Sequence, residues 1–176
     1  MRRTVLNILG CVLSLMSLSS CIYEKDEVGK DLEEGDFLPD FSVTMNDGSI
    51  VSGASLREVP SCVVFFHTSC PDCRKALPIV QKLYEEHSGK GVGFALISRE
   101  ENAASVSAYW KEAGFTMPYS AQDDRAVYNL FAQTRVPRIY ISGKGGQIKA
   151  IFTDDPVPDY DTVNFELNSV YGTGKE

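Results

Sequence analysis

The segment SCVVFFHTSCPDCRK, Ser61 to Lys75, constrains this chain more than any other. Ser61 to His67 is a β-branched and aromatic run, long enough for a strand buried on both faces. Helical spacing then takes over. Ala76, Leu77, Val80, Leu83 and Tyr84 share one face, which predicts a helix from about Pro71 to His87, kinked by Pro78 and ended by Gly89 and Gly91. Cys70-Pro71-Asp72-Cys73 sits at the junction. A buried strand running straight into an amphipathic helix needs further strands to cover both, so the chain belongs to the α/β class.

Two cysteines within one helical turn are close enough to pair. Cys70 falls at the helix N-terminus, where partial positive charge and free N–H groups favour a thiolate that can attack a disulfide. Cys73, one turn along and more sheltered, is placed to resolve the mixed disulfide. Pro71 suits the first helical position. The charge of Asp72 opposes a thiolate, while the helix terminus, Arg74 and Lys75 support one, so charge counting sets no direction of electron flow. His67 joins Pro71 and Asp72 as a redox-tuning candidate; a strand-end His with a satisfied hydrogen bond is the alternative. A structural disulfide or half a metal site would also use two cysteines. No second ligand pair accompanies them, and no metal or other cofactor is expected.

The flanking pattern repeats the α/β theme. Phe41, Val43 and Met45 alternate as on a strand, Asn46-Asp47-Gly48-Ser49 makes a turn, and Ile50-Val51 starts a partner. Val92–Ser98 reads as a strand and Asn102/Ala103–Ala113 as a helix stopped by Gly114. Asp123 or Asp124 is expected to cap a short helix through Phe131. Strands Arg138–Ser142 and Gln147–Phe152 flank a glycine turn, and Asp159 or Asp161 caps a last helix to about Tyr171. The predicted fold is a three-layer α/β/α sandwich with a mixed sheet and an extra N-terminal β-hairpin. Cys62 and His87 read as structural, and Tyr109 and Trp110 as packing groups.

The N-terminus reads as an address. Arg2-Arg3, an apolar stretch from Val5 to Leu18 and the tetrad Leu18-Ser19-Ser20-Cys21 form a signal peptide over residues 1–20. The tetrad resembles the bacterial lipobox, which implies cleavage before Cys21 and its lipidation; an ordinary secretory signal is the alternative. Residues 21–36 are charged and poor in large apolar groups, as in a flexible tether, and the domain follows over 37–176. Glu24-Lys25-Asp26-Glu27 resembles a short surface-export signal, although a plain linker explains it as well. Export permits disulfides. A net charge of −7 argues against a nucleic-acid partner.

With these residues in order, the chain resembles the thioredoxin-like superfamily, in its membrane-tethered thiol–disulfide oxidoreductase branch that includes TlpA and ResA. The resemblance spans about residues 37–171. Pro78 matches the family's helix-kinking proline. Val136-Pro137 matches its cis-proline, which implies a role in docking substrate backbone. Leu38-Pro39-Asp40-Phe41 and Asp47-Gly48 match the N-terminal hairpin. What the resemblance implies is a cell-envelope reductase of protein disulfides, facing the periplasm and fed by a membrane electron donor. A binding or scaffold lipoprotein and a dithiol oxidase or isomerase are the rivals. Three positions depart from the family: Ser69 replaces a Trp, Val64 a buried Asp and Ala76 a Glu. The usual carboxylates for the Cys73 proton are therefore missing, leaving His67, Asp72, Glu100 or water.

Overall fold

The computed structural model describes residues 29–172. The signal peptide, Cys21 and the first part of the tether lie outside the described residues. The central strand is β3 (Ser61–Phe66), with all six residues buried. It pairs in parallel with β4 (Gly93–Ser98) and antiparallel with β5 (Arg138–Ser142), which in turn pairs antiparallel with β6 (Ile148–Phe152). The sheet order β4-β3-β5-β6 is mixed, as expected. A separate hairpin, β1 (Ser42–Thr44) and β2 (Ile50–Ser52), stands on the N-terminal side.

The parallel β3–β4 pair needs a long crossover, and α2 (Pro71–His87) supplies it. Its buried face carries Cys73, Ala76, Leu77, Val80 and Leu83. Pro78 lies inside the helix, where it cannot donate to the carbonyl of Arg74. α3 (Ala103–Ala113) starts at the Asn102 cap and stops at Gly114, which takes a left-handed conformation. α4 (Tyr160–Gly172) packs on α2, β5 and β6. Aromatic rings cover both faces of β3. Phe65 meets Tyr128, Phe131 and Tyr140, and its neighbour Phe66 meets Trp110 of α3. Successive strand residues point to opposite faces, so these are two separate clusters.

Two expectations are corrected, and one element is added. The helix expected over 123–131 is reduced to a 3₁₀ turn, Tyr128–Leu130. Asp124 caps only the Ala126 N–H at 2.8 Å, and the following backbone is held by side chains instead, the Arg125 guanidinium reaching the Gln133 carbonyl. A short helix α1 (Gly53–Arg57) was not anticipated; Ser52 and Ser55 close a reciprocal cap around it. The tether also ends earlier than residue 36. The Leu32 N–H donates to Phe131 O at 2.8 Å and the Gly35 N–H to Ile148 O at 2.9 Å. Asp31 accepts from the Gln133 N–H at 2.7 Å and pairs with Arg138. Charge and backbone pairing dock this segment despite its polar composition.

Candidate functional site

The antiparallel β3–β5 register sets Phe65 opposite Arg138, so the end of β3 and the start of β5 meet at one edge of the sheet. The dithiol loop and the Val136–Pro137 peptide are thereby brought together, and that peptide bond is cis. Cys70 is the N-cap of α2. Its half-buried sulfur accepts from the Cys73 N–H at 3.4 Å, and its thiol points to the Val136 carbonyl at 3.4 Å. Pro71 takes the first helical position and is exposed. Asp72 is also at the surface, paired with Lys75 at 2.7 Å, so its charge is largely answered one turn along the helix.

Cys73 is 0% exposed. Burial raises its thiol above the ordinary range, and the neighbouring Cys70 adds to this; the His67 backbone N–H and the Arg99 guanidinium act in the opposite sense. Of the two sulfur-bearing residues, Cys70 is thus half-buried and Cys73 fully sheltered. Val64 and Ala76 are buried apolar residues in the core, so neither family carboxylate has a substitute at its own position. Cys62 is buried in β3, and burial pushes its thiol up to about 12.

A buried carboxylate sits beside the loop that leads into Cys70, and it is not among the groups named from sequence. Glu100 is exposed and engages Arg125 at 3.1 Å. Its neighbour Glu101 is 7% exposed and receives both donors of Thr68, the N–H at 2.8 Å and the hydroxyl. Thr68 in turn offers its carbonyl to Arg74 Nε at 2.6 Å. The His67 ring lies beside this cluster, with Nδ1 3.7 Å from Glu101 Oε2. That nitrogen accepts from the Ser69 N–H at 3.2 Å and lies 3.0 Å from the Ser69 hydroxyl. His67 and Glu101 together therefore hold the two residues that precede Cys70.

Sequence reasoning missed Glu101 and Arg99. Both follow Ser98 in a charged run at the carboxyl end of β4. That is where open α/β sheets collect functional groups, and it is the signal that could have found them. His87, near the end of α2, is fully buried and contacts Asn164 of α4 at 2.7 Å, so it joins two helices.

Comparison with known proteins agrees with this architecture. The Redoxin family model matches residues 33–164. The chain is 23% identical to the thiol-disulfide oxidoreductase ResA of Bacillus subtilis over 146 residues, 82% of each protein. It is 24% identical to ResA of Geobacillus kaustophilus, covering 87% of this chain and 86% of that protein. Among solved structures, a Bacteroides thetaiotaomicron chain superposes with a TM-score of 0.74 at 23% identity, covering 85% of this chain and 94% of its own. A thioredoxin-family thiol:disulfide interchange protein of Chlorobium tepidum gives 0.68 at 22%, covering 81% and 100%. These structural likenesses establish a thioredoxin-like fold. With the family match running through β1 to α4 and across both cysteines, the chain belongs to the Redoxin family.

Proposed function

We propose that this protein, a thiol–disulfide oxidoreductase of the Redoxin family, reduces disulfides of exported protein substrates through Cys70 and Cys73. The observation that carries the reading is the accessible Cys70 sulfur at the N-terminus of α2, 3.4 Å from the Val136 carbonyl. Cys70 thiolate attacks a substrate disulfide, the main chain of Val136 and Pro137 receives the extended substrate backbone, and Cys73 releases the product by closing the 70–73 bond. A membrane electron donor re-reduces the pair, and no cofactor is needed. The chain works from a lipid anchor at Cys21, facing the periplasm; Leu18-Ser19-Ser20-Cys21 supports this. No helix among the described residues is long and apolar enough to cross a membrane.

The test is the reduction potential of the Cys70–Cys73 pair together with insulin reduction by wild type and Cys70→Ser. A potential near or below about −250 mV and an inactive Cys70→Ser variant support the reductase. A value of about −120 to −180 mV indicates an oxidase or isomerase. Equal insulin rates for the two proteins overturn the enzyme reading. In cells, Cys21→Ser should leave the membrane fraction; retention there overturns the anchor. The apolar Val64 and Ala76 favour a binding protein with slow turnover as the second reading.

A further inference from the structure

Docking a substrate beside Cys70 makes demands on a loop as well as on a thiol. The substrate main chain has to lie along Val136, whose carbonyl is 3.4 Å from the Cys70 sulfur. The residues that lead into Val136 form neither helix nor strand. Arg135 takes a left-handed conformation, φ +70°, which a residue with a side chain keeps only when its surroundings hold it there.

Each of the three residues before Val136 is gripped through its backbone. The Arg125 guanidinium reaches the Gln133 carbonyl. Arg138 Nη2 donates to the Thr134 carbonyl at 3.0 Å, and its Nε to the same oxygen at 3.3 Å. The Tyr128 hydroxyl donates to the Arg135 carbonyl at 2.5 Å. These three holders belong to the same stretch of chain as the loop. The fourth does not. Asp31, 102 positions before Gln133, accepts the Gln133 N–H at 2.7 Å. The other oxygen of that carboxylate pairs with Arg138.

One side chain thus acts on the loop twice, directly at Gln133 and through Arg138 at Thr134. The Arg138 side chain is only 9% exposed, and a buried cation needs a counter-charge to stay in place. Without Asp31 the guanidinium is better solvated by turning toward water, and Thr134 then loses its donor. Asp31 is itself presented by an anchored backbone, since the Leu32 N–H donates to Phe131 O at 2.8 Å and the Gly35 N–H to Ile148 O at 2.9 Å. Arg135 also meets Asp154, at 3.4 Å, but its side chain is 56% exposed and such a surface pair adds little.

We propose that Asp31 is a positioning residue for substrate docking: from the N-terminal segment, its carboxylate fixes residues 133–138 so that the Val136 main chain stands opposite Cys70, ready to receive substrate. The proposal rests on the dithiol exchange of the preceding section. Asp31 acts through Gln133 and Arg138 and takes no part in the sulfur chemistry. Its loss should therefore weaken docking and spare the chemical step. When only a fraction of molecules hold the receiving conformation, apparent affinity falls by that fraction, and saturating substrate restores the full rate.

The experiment measures insulin reduction against insulin concentration, with dithiothreitol as donor, for wild type, Asp31→Ala and Asp31→Glu. Circular dichroism first shows each protein to be folded under the assay conditions. Asp31→Ala should raise KM about tenfold and leave kcat within about twofold of wild type. Asp31→Glu keeps the charge and both acceptor oxygens and should recover most of the wild-type KM. Ellman's disulfide, a small probe with no main chain to dock, should react with Cys70 at the same rate in all three. If Asp31→Ala does not fold, Asp31→Asn takes its place, with a rise in KM again expected because Arg138 loses its charged partner. A wild-type KM in the folded neutral variant overturns the proposal, as does a Glu variant no better than it. Equal slowing toward Ellman's disulfide would put the effect on Cys70 itself and also overturns it. So does a fall in kcat at unchanged KM, which is what loss of stable protein alone produces. All of these outcomes leave the oxidoreductase standing. If Cys70→Ser reduces insulin as fast as wild type, the dithiol exchange fails and the proposal goes with it.

Discussion

Glu101 shows how much one side chain can matter to a site it does not appear to join. Its carboxylate is buried, carries both donors of Thr68 and stands 3.7 Å from the His67 ring. Hydrogen bonds to a charged group contribute about 1.5–3 kcal/mol, and removing one partner strands the others in the interior. Glu101→Ala is therefore expected to lower unfolding free energy by about 2 kcal/mol in urea titration. It should also slow insulin reduction, because the residues leading into Cys70 lose their anchor. Thr68→Val should have a similar effect, and the double variant should cost little more than either alone. Additive losses would show that the two side chains are not coupled.

At the scale of elements, the docked N-terminal segment extends the domain by several residues. Asp31 pairs with Arg138 at the start of β5, whose side chain is 9% exposed, and Asp36 and Gly35 trade backbone bonds with Ile148 at the start of β6. Arg138 keeps one further acceptor, the Thr134 carbonyl. Removing the carboxylate leaves a mostly buried cation short of its charged partner. The exposure of Asp31 tempers the loss, and Asp31→Ala is expected to cost about 1–2 kcal/mol in urea unfolding. A chain beginning at Phe37 should be weakened at least as much. Equal midpoints for that chain and one beginning at Gly29 would mean that the segment contributes nothing.

Across the whole molecule, the buried thiols and phenols set the alkaline limit. Burial raises Cys62, to about 12, and also Cys73, Tyr128 and Tyr140. Such groups hold their protons in the folded state after the unfolded chain has released its own. Their contribution is complete below the unfolded values, about 8.5 for Cys and 10 for Tyr, and is lost as pH rises beyond them. Unfolding free energy should therefore be level up to about pH 8 and fall progressively above it. Cys62→Ala should make the fall between about pH 9 and 10.5 shallower, whatever its effect on stability at neutral pH. An unchanged slope would show that Cys62 does not stay protonated in the folded protein.

The sequence by itself determined the parts whose physics is local. Unbroken apolar runs marked the strands, helical spacing and caps marked α2 and α3, and Cys-Pro-Asp-Cys at a strand–helix junction announced both the fold class and the chemistry. The matching proline at 137 was legible through its resemblance to a family pattern. Tertiary structure decided what depends on which surfaces meet. Asp123, Asp124 and the following residues carry helix-start chemistry, yet side-chain bonds to Arg125 hold that stretch as a turn. Residues 31–36 look like linker by composition and dock because Arg138, more than a hundred positions away, supplies the opposite charge. Neighbouring Glu100 and Glu101 have the same chemistry in sequence. Only the direction each side chain takes from the end of β4 separates a surface ion pair from a buried carboxylate that holds Thr68.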